Sequence, residues 1–187
     1  AIHTKIDLTE FWHLCNEMAY TCVRTCAELD RPELMDSAYM LGLFHLAGMP
    51  VLLKNYPEYQ TVIDRLDKLS GHELLKVENE LVNSSHTSVG AYIAKSWGIQ
   101  PELYENIYYM LDCEGIFESN ELSKSSLDHM CILKIARFIV LKKHGLASKV
   151  EWFAIKEGIE HYMNLDATDL GITIHQIENQ MATGLKN

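Results

Sequence analysis

Apolar residues recur at three- and four-residue steps through nearly every patterned stretch of this chain, and no segment sustains a two-residue alternation. A period near 3.6 lines apolar side chains along one helical stripe, whereas a half-buried strand needs alternation. The longest stripe comes first: Phe11, Cys15, Met18, Ala19, Cys22, Val23, Cys26 and Leu29. The pattern predicts an all-α protein, with all 187 residues (1–187) in a single domain. Pro32 opens a second helix running to Ala47, and further helices are expected over 58–69, 72–82, 87–96, 101–111, 127–144, 149–162 and 174–181. Gly98, Gly115, Gly145 and Gly171 are the expected breaks, Asp7 with Glu10 a capping box, and Thr173 the N-cap of the last helix. Gly90 lets a neighbouring helix come close, with Ala91, Ala94 and Trp97 as packing positions. The serine-rich stretch 118–126 reads as a surface loop. Short helices meeting through tight turns give an irregular helical array, not an up-down bundle.

Charge narrows the partners. Against 26 Asp and Glu there are only 16 Lys and Arg, a net charge of -10, so neither nucleic acid nor an anionic membrane is an expected partner. No run reaches the roughly 18 uncharged apolar residues of a membrane span. Cys15, Cys22, Cys26, Cys113 and Cys131 are odd in number and form no Cys-x-x-Cys pair. Three of them lie on the first stripe, which predicts buried free thiols and a cytoplasmic location. The run Lys134, Arg137, Lys142, Lys143 and Lys149 reads as a solvated helix face.

The nine histidines are scattered, with no His-x-x-x-His pair, so neither a metal nor another cofactor is expected. Two of them are candidates for ligand binding. His45 interrupts the apolar run Leu41–Met49, and a buried imidazole needs hydrogen-bond partners or a ligand. His86 follows Asn83-Ser84-Ser85 at the start of a helix, a place that suits either structure or ligand binding. Tyr104, Tyr108 and Tyr109 are the candidate interaction surface, because tyrosine suits half-wet contacts.

Several of these residues occur in a familiar order. Phe11-Trp12 with Ala19 resembles the F-W-x-H-S…A opening of HDOD domains, the HD-related output domains of bacterial regulatory proteins. Leu41-Gly42-Leu43-Phe44-His45-Leu46-Ala47-Gly48 resembles their G-L-L-H-D-I-G segment. Glu80, the segment His86 to Ala91, Trp97 and Pro101 resemble E…H…V-G-A…W…P, and Leu133 to Ala136 resembles a late V-x-L-A helix. The ordered match covers residues 8–145. It implies an irregular helical array of the HD-domain-like superfamily, lacking the helices that usually precede the Phe-Trp opening.

The departures shape the expected function. Leu46 stands where metal-dependent HD enzymes have aspartate, and the opening histidine position falls on Leu14, with His13 one residue away. The later paired histidines would fall within 109–112, where only Asp112 could ligate a metal. The resemblance therefore implies a non-catalytic signalling or regulatory domain that binds a protein partner, a second copy of itself or a small regulatory ligand. The alternative is a metal-dependent HD-type phosphohydrolase acting on a nucleotide or cyclic dinucleotide. It would need His45, His86, Asp112 and either His13 or Glu80 to converge.

Overall fold

A computed structural model describes residues 8–66, 68–112, 115–146 and 149–184. His3, Asp7 and Cys113 lie outside these. The helices are α1 (Leu8–Glu28), α2 (Met35–Phe44), α3 (Gly48–Asn55), α4 (Gln60–Ile63), α5 (Gly71–Val82), α6 (His86–Ser96), α7 (Pro101–Tyr109), α8 (Lys124–Lys143), α9 (Lys149–Met163) and α10 (Ala167–Gly184). Short 3-10 turns, Pro32–Leu34 and Pro57–Tyr59, lead into α2 and α4. Among the described residues there is no strand.

The array is built around α8. A helix with apolar residues on every side has no face to give to water and belongs in the interior. In α8 the run Met130 to Ala136 and then Ile139 and Val140 are buried, and α1, α2, α7, α9 and α10 all pack against it. The α1 stripe meets this core through Cys15, Met18, Ala19, Cys22 and Cys26, each fully buried. The four described thiols are free. Burial alone pushes Cys15 up to about 12.

Two crossings fix where the chain turns at His45. A Cβ on Gly42 would lie 2.6 Å from the Ala19 Cα, so α2 rests directly on the backbone of α1. On Gly48 it would lie 2.0 Å from the His86 carbonyl oxygen and 2.8 Å from the Gly90 nitrogen, so α3 rests on the first turns of α6. The close approach expected at Gly90 is therefore made by Gly48. Ala91 and Ala94 are buried beside it, whereas Trp97 is largely exposed and meets Phe44 edge to face, with centroids 5.8 Å apart.

Some boundaries differ from the sequence reading. The expected helix 32–47 stops at Phe44, and α3 follows after a turn at 45–47. Pro50 fits in the first turn of α3, where its missing N–H costs nothing. The segment Pro32–Asn55 has a mean hydropathy of 1.2, enough for a membrane span by length and composition, but it is broken at His45 and half of it is buried inside the protein. The expected helix over 58–69 shrinks to the four-residue α4. Gly98, Gly115 and Gly145 do break the chain, each with φ near +70°. Gly171 does not: it lies inside α10, and Thr173 is a buried interior residue. The N–H groups of Thr168 and Asp169 are instead taken by the Asp166 carboxylate at 2.7 and 2.8 Å. The end of the serine-rich stretch is a helix start, with Ser123 accepting from the Ser126 N–H at 3.1 Å.

These crossings separate two kinds of glycine. Gly48→Ala should destabilise the fold by about 3 kcal/mol or more, because a backbone carbonyl cannot move aside as a side chain can. Gly171→Ala, with nothing within 4 Å of the added methyl, should stabilise α10 by about 0.5–1 kcal/mol. Urea denaturation midpoints measure both, and a Gly48→Ala midpoint equal to wild type would contradict the contact.

Candidate functional site

The turn after α2 points His45 inward, where it is completely buried. Its Nδ1–H donates to the Gly42 carbonyl at 2.6 Å, a tautomer assigned from its acceptor, and Nε2 has no partner. Burial first, then the charges of Arg137 and His86, hold His45 down to about 3 and so keep it neutral.

His86 enters from the first residue of α6. Both its backbone N–H, at 3.2 Å, and its ring Nδ1–H, at 2.8 Å, donate to the Glu78 carboxylate on α5. The Tyr59 hydroxyl also donates to Glu78. Burial, and then the charge of Glu78 and the bond to it, push the Tyr59 hydroxyl far above its usual range. With both N–H groups of His86 committed, its buried Nε2 is left without a partner. The two histidines therefore share one arrangement: an anchored Nδ1–H and a bare Nε2.

His86 lines a cavity of about 60 Å³ whose wall also contains Leu14, Leu46, Arg137 and Glu151. Arg137 comes from α8, and its Nε donates to Glu151 of α9 at 3.1 Å. The buried Lys134 has its Nζ 3.9 Å from the same carboxylate. Burial raises the Glu151 carboxyl, but Arg137 and Lys134 outweigh it and hold it below its ordinary value. The expected solvated basic face is thus split. Lys134 and Arg137 point inward, while Lys142 and Lys143 pair at the surface with Glu178 and Glu17.

A metal does not fit this arrangement. Two unpartnered imidazole nitrogens are a start, but the cavity wall is mainly leucine, Leu14 and Leu46 among them, and its one carboxylate, Glu151, is already taken up by Arg137 and Lys134. Asp112 lies elsewhere, between a 480 Å³ cavity and a 350 Å³ groove, where burial raises its carboxyl and Lys134 opposes the rise. His13 and Glu80 are exposed. Among the described residues no three His, Cys, Asp or Glu side chains stand together as metal ligands.

The sequence reading chose His45 and His86 but passed over Glu78, Arg137 and Glu151. Glu78 did leave a signal: it falls on the stripe Leu74–Glu78–Val82, where a carboxylate must have buried partners. Lys134, inside Ile132 to Ala136, carries the same signal. The tyrosines sit apart from this cleft. Tyr104 is partly buried, with Lys95 Nζ 5.6 Å from its ring centroid. Tyr108 is half-exposed and lines the 350 Å³ groove, while Tyr109, edge-on to it at 4.9 Å, lines the 480 Å³ cavity.

Comparison with known proteins gives a family match to the HDOD domain over residues 2–112. No curated protein matches the chain. Two solved structures share its fold. A provisionally named phosphohydrolase from Shewanella amazonensis SB2B is 21% identical with a TM-score of 0.66, the match covering 95% of this chain and 61% of that one. A provisionally named signal transduction protein from Marinobacter aquaeolei VT8 is 16% identical, also with a TM-score of 0.66, over 91% of this chain and 36% of that one. The chain thus spans about three-fifths and about one-third of those proteins.

The neutral His45 makes stability depend on pH in one direction. Its folded pKa of about 3 lies below the ordinary 6.5, so its contribution is complete above pH 6.5 and is lost as pH falls toward 3. The loss is about 1.4 kcal/mol per pH unit in that window. In His45→Asn, which keeps a nitrogen donor, urea midpoints between pH 6.5 and 4.5 should fall less steeply than in wild type. Parallel curves would mean that His45 does not titrate with unfolding.

Proposed function

The chain belongs to the HDOD family, and from that premise we propose that it is a non-catalytic regulatory domain of HD fold that recognises a protein partner or a small ligand. One observation carries the reading: beside His86 the cavity wall is mainly leucine, Leu14 and Leu46 among them, and its one carboxylate, Glu151, is paired with Arg137. A wall of leucines whose one carboxylate is already paired with a guanidinium is chemically unsuited to activating water on a metal. The competing reading, a metal-dependent phosphohydrolase acting on a nucleotide or cyclic dinucleotide, lacks its bridging carboxylate.

Recognition has two places to act. The unpartnered nitrogens of His45 and His86 are buried, so a ligand would reach them only by opening the cleft, whereas Tyr104, Tyr108 and Tyr109 give a protein partner or a second copy an aromatic edge along α7. The buried free thiols suit a reducing, cytoplasmic setting.

Elemental analysis of protein purified without chelator tests the central point. After incubation with manganese, iron or zinc the expected metal content is near zero, and one or two tightly held ions per chain would overturn the reading. For the tyrosine surface, Tyr108→Ser should weaken self-association in sedimentation or capture of a partner. If Tyr108→Ser and Tyr109→Ser both leave these unchanged, the surface lies elsewhere.

A further inference from the structure

Two open cavities flank the end of α7, and Leu75 and Asp112 line both. In the larger, of 480 Å³, the polar side chains are mostly spent on the protein itself. Ser70 caps α5 by accepting the Glu73 N–H, Ser119 bonds the backbones of Ile116 and Glu121, and Glu151 holds Arg137. The 350 Å³ groove differs. It lies between the end of α5, the start of α6 and the end of α7, and among the described residues the side chains of Asn79, Asn83, Ser84, Tyr108 and Asp112 on its wall make no hydrogen bond to the protein. At the α6 end three hydroxyls form a chain. Ser85 Oγ lies 2.9 Å from Thr87 Oγ1 and donates to Ser88 Oγ at 3.0 Å. Because Ser85 has one proton and gives it to Ser88, Thr87 donates to Ser85, and the Ser88 proton is left for an occupant of the groove.

The wall decides against an anion. It carries no Lys or Arg, and Asp112 adds a negative charge. Two of the first N–H groups of α6 are already spent as well: that of His86 donates to Glu78 at 3.2 Å and that of Ser88 to Ser85 Oγ at 3.1 Å. A carboxylate calls for O–H donors, whereas side-chain amides and the Ser88 proton call for acceptors on the same ligand. Neighbouring hydroxyls on one ring supply both, since each carries a proton and two lone pairs. Tyr108, half-exposed, offers the one aromatic ring of the wall, against which the C–H side of such a ligand can rest. A volume of 350 Å³ falls within the range of small-molecule sites, about 300–1,000 Å³.

We propose that the groove between α5, α6 and α7 is a binding site for a neutral polyhydroxylated ligand of the monosaccharide class, with Asp112 accepting from its hydroxyls, Asn79 and Asn83 exchanging hydrogen bonds with them and Tyr108 covering its ring. The site does not use the buried histidine nitrogens, but it adjoins them in the chain. Asn79 follows Glu78 in α5, and Ser85 and Thr87 stand on either side of His86. A small ligand reaches this groove without opening the cleft. The inference rests on the non-catalytic recognition reading above and names the class of small ligand recognised.

An amide NMR titration of the whole chain with D-glucose, D-galactose and D-ribose tests it. The expected result is saturable shifts with at least one of the three, in the millimolar range and largest at positions 79–88, 108 and 112. The phosphate ester of the sugar that binds should bind about fivefold more weakly or worse, because its charge meets Asp112 with no cation on the wall. Asn79→Ala and Asp112→Asn, both at exposed positions, should each weaken binding by about fivefold to tenfold without loss of the helical circular dichroism. The inference is overturned by no saturable shift with any of the three sugars, by shifts centred away from the groove, by a phosphate ester that binds as tightly as its sugar, or by both variants binding as wild type. Manganese added to a parallel sample separates the two conclusions. Stoichiometric uptake of the metal overturns the non-catalytic reading, whereas failure to bind any of the sugars overturns only the groove.

Discussion

The contact of Gly48 with the carbonyl oxygen of His86 is the constraint on which the rest of the cleft depends. Because glycine has no Cβ, the start of α3 can lie on the first turn of α6, and Gly90 accepts it from the other side. Gly42 does the same for α2 against Ala19 of α1. His45 sits between these two contacts, so its position is set by backbone meeting backbone, a less compliant constraint than side-chain packing. A residue held in this way can stay buried with half its hydrogen-bonding capacity unused.

Around that point polar groups are buried in pairs, not singly. Glu78 collects three donors from His86 and Tyr59, and Glu151 collects Arg137 and Lys134. A third set joins Arg31, Asp128 and Tyr162, tying the turn before α2 to α8 and α9 at 2.8 and 3.0 Å. Removing one member of such a set leaves the other charge uncompensated, which costs more than the pair itself contributes. Among the described residues the buried side-chain atoms without a hydrogen-bond partner are few: His45 Nε2, His86 Nε2, Asn106 Oδ1 and Glu160 Oε1.

Much of this was legible in the sequence, and the failures have physical causes. The stripe of α1 and the proline and glycine signals gave its burial, the start of α7 and three of the four breaks. Gly171 misled because a glycine inside a helix is a cost and not a prohibition, and Asp166 had already capped α10 upstream. His45 could be read as buried because its neighbours are apolar. Arg137 could not be placed, because a basic run looks the same whether it faces water or a carboxylate contributed by another helix, and Glu151 is fourteen residues away in sequence. The tetrads of the family resemblance pointed to Glu80, yet α5 turns Glu78 inward and leaves Glu80 at the surface.

The all-round burial of α8 sets the unit of folding apart from the unit of ancestry. The family match ends at residue 112, before α8 begins at Lys124. Yet α1, α2 and α7, all inside the matched part, pack against α8. A chain cut at the edge of the recognisable family segment would keep every residue of the His45–His86–Glu78 constellation and lose Arg137, Glu151 and the central helix together. The family match lies in the first three-fifths of this sequence, but the core of that part is completed by α8.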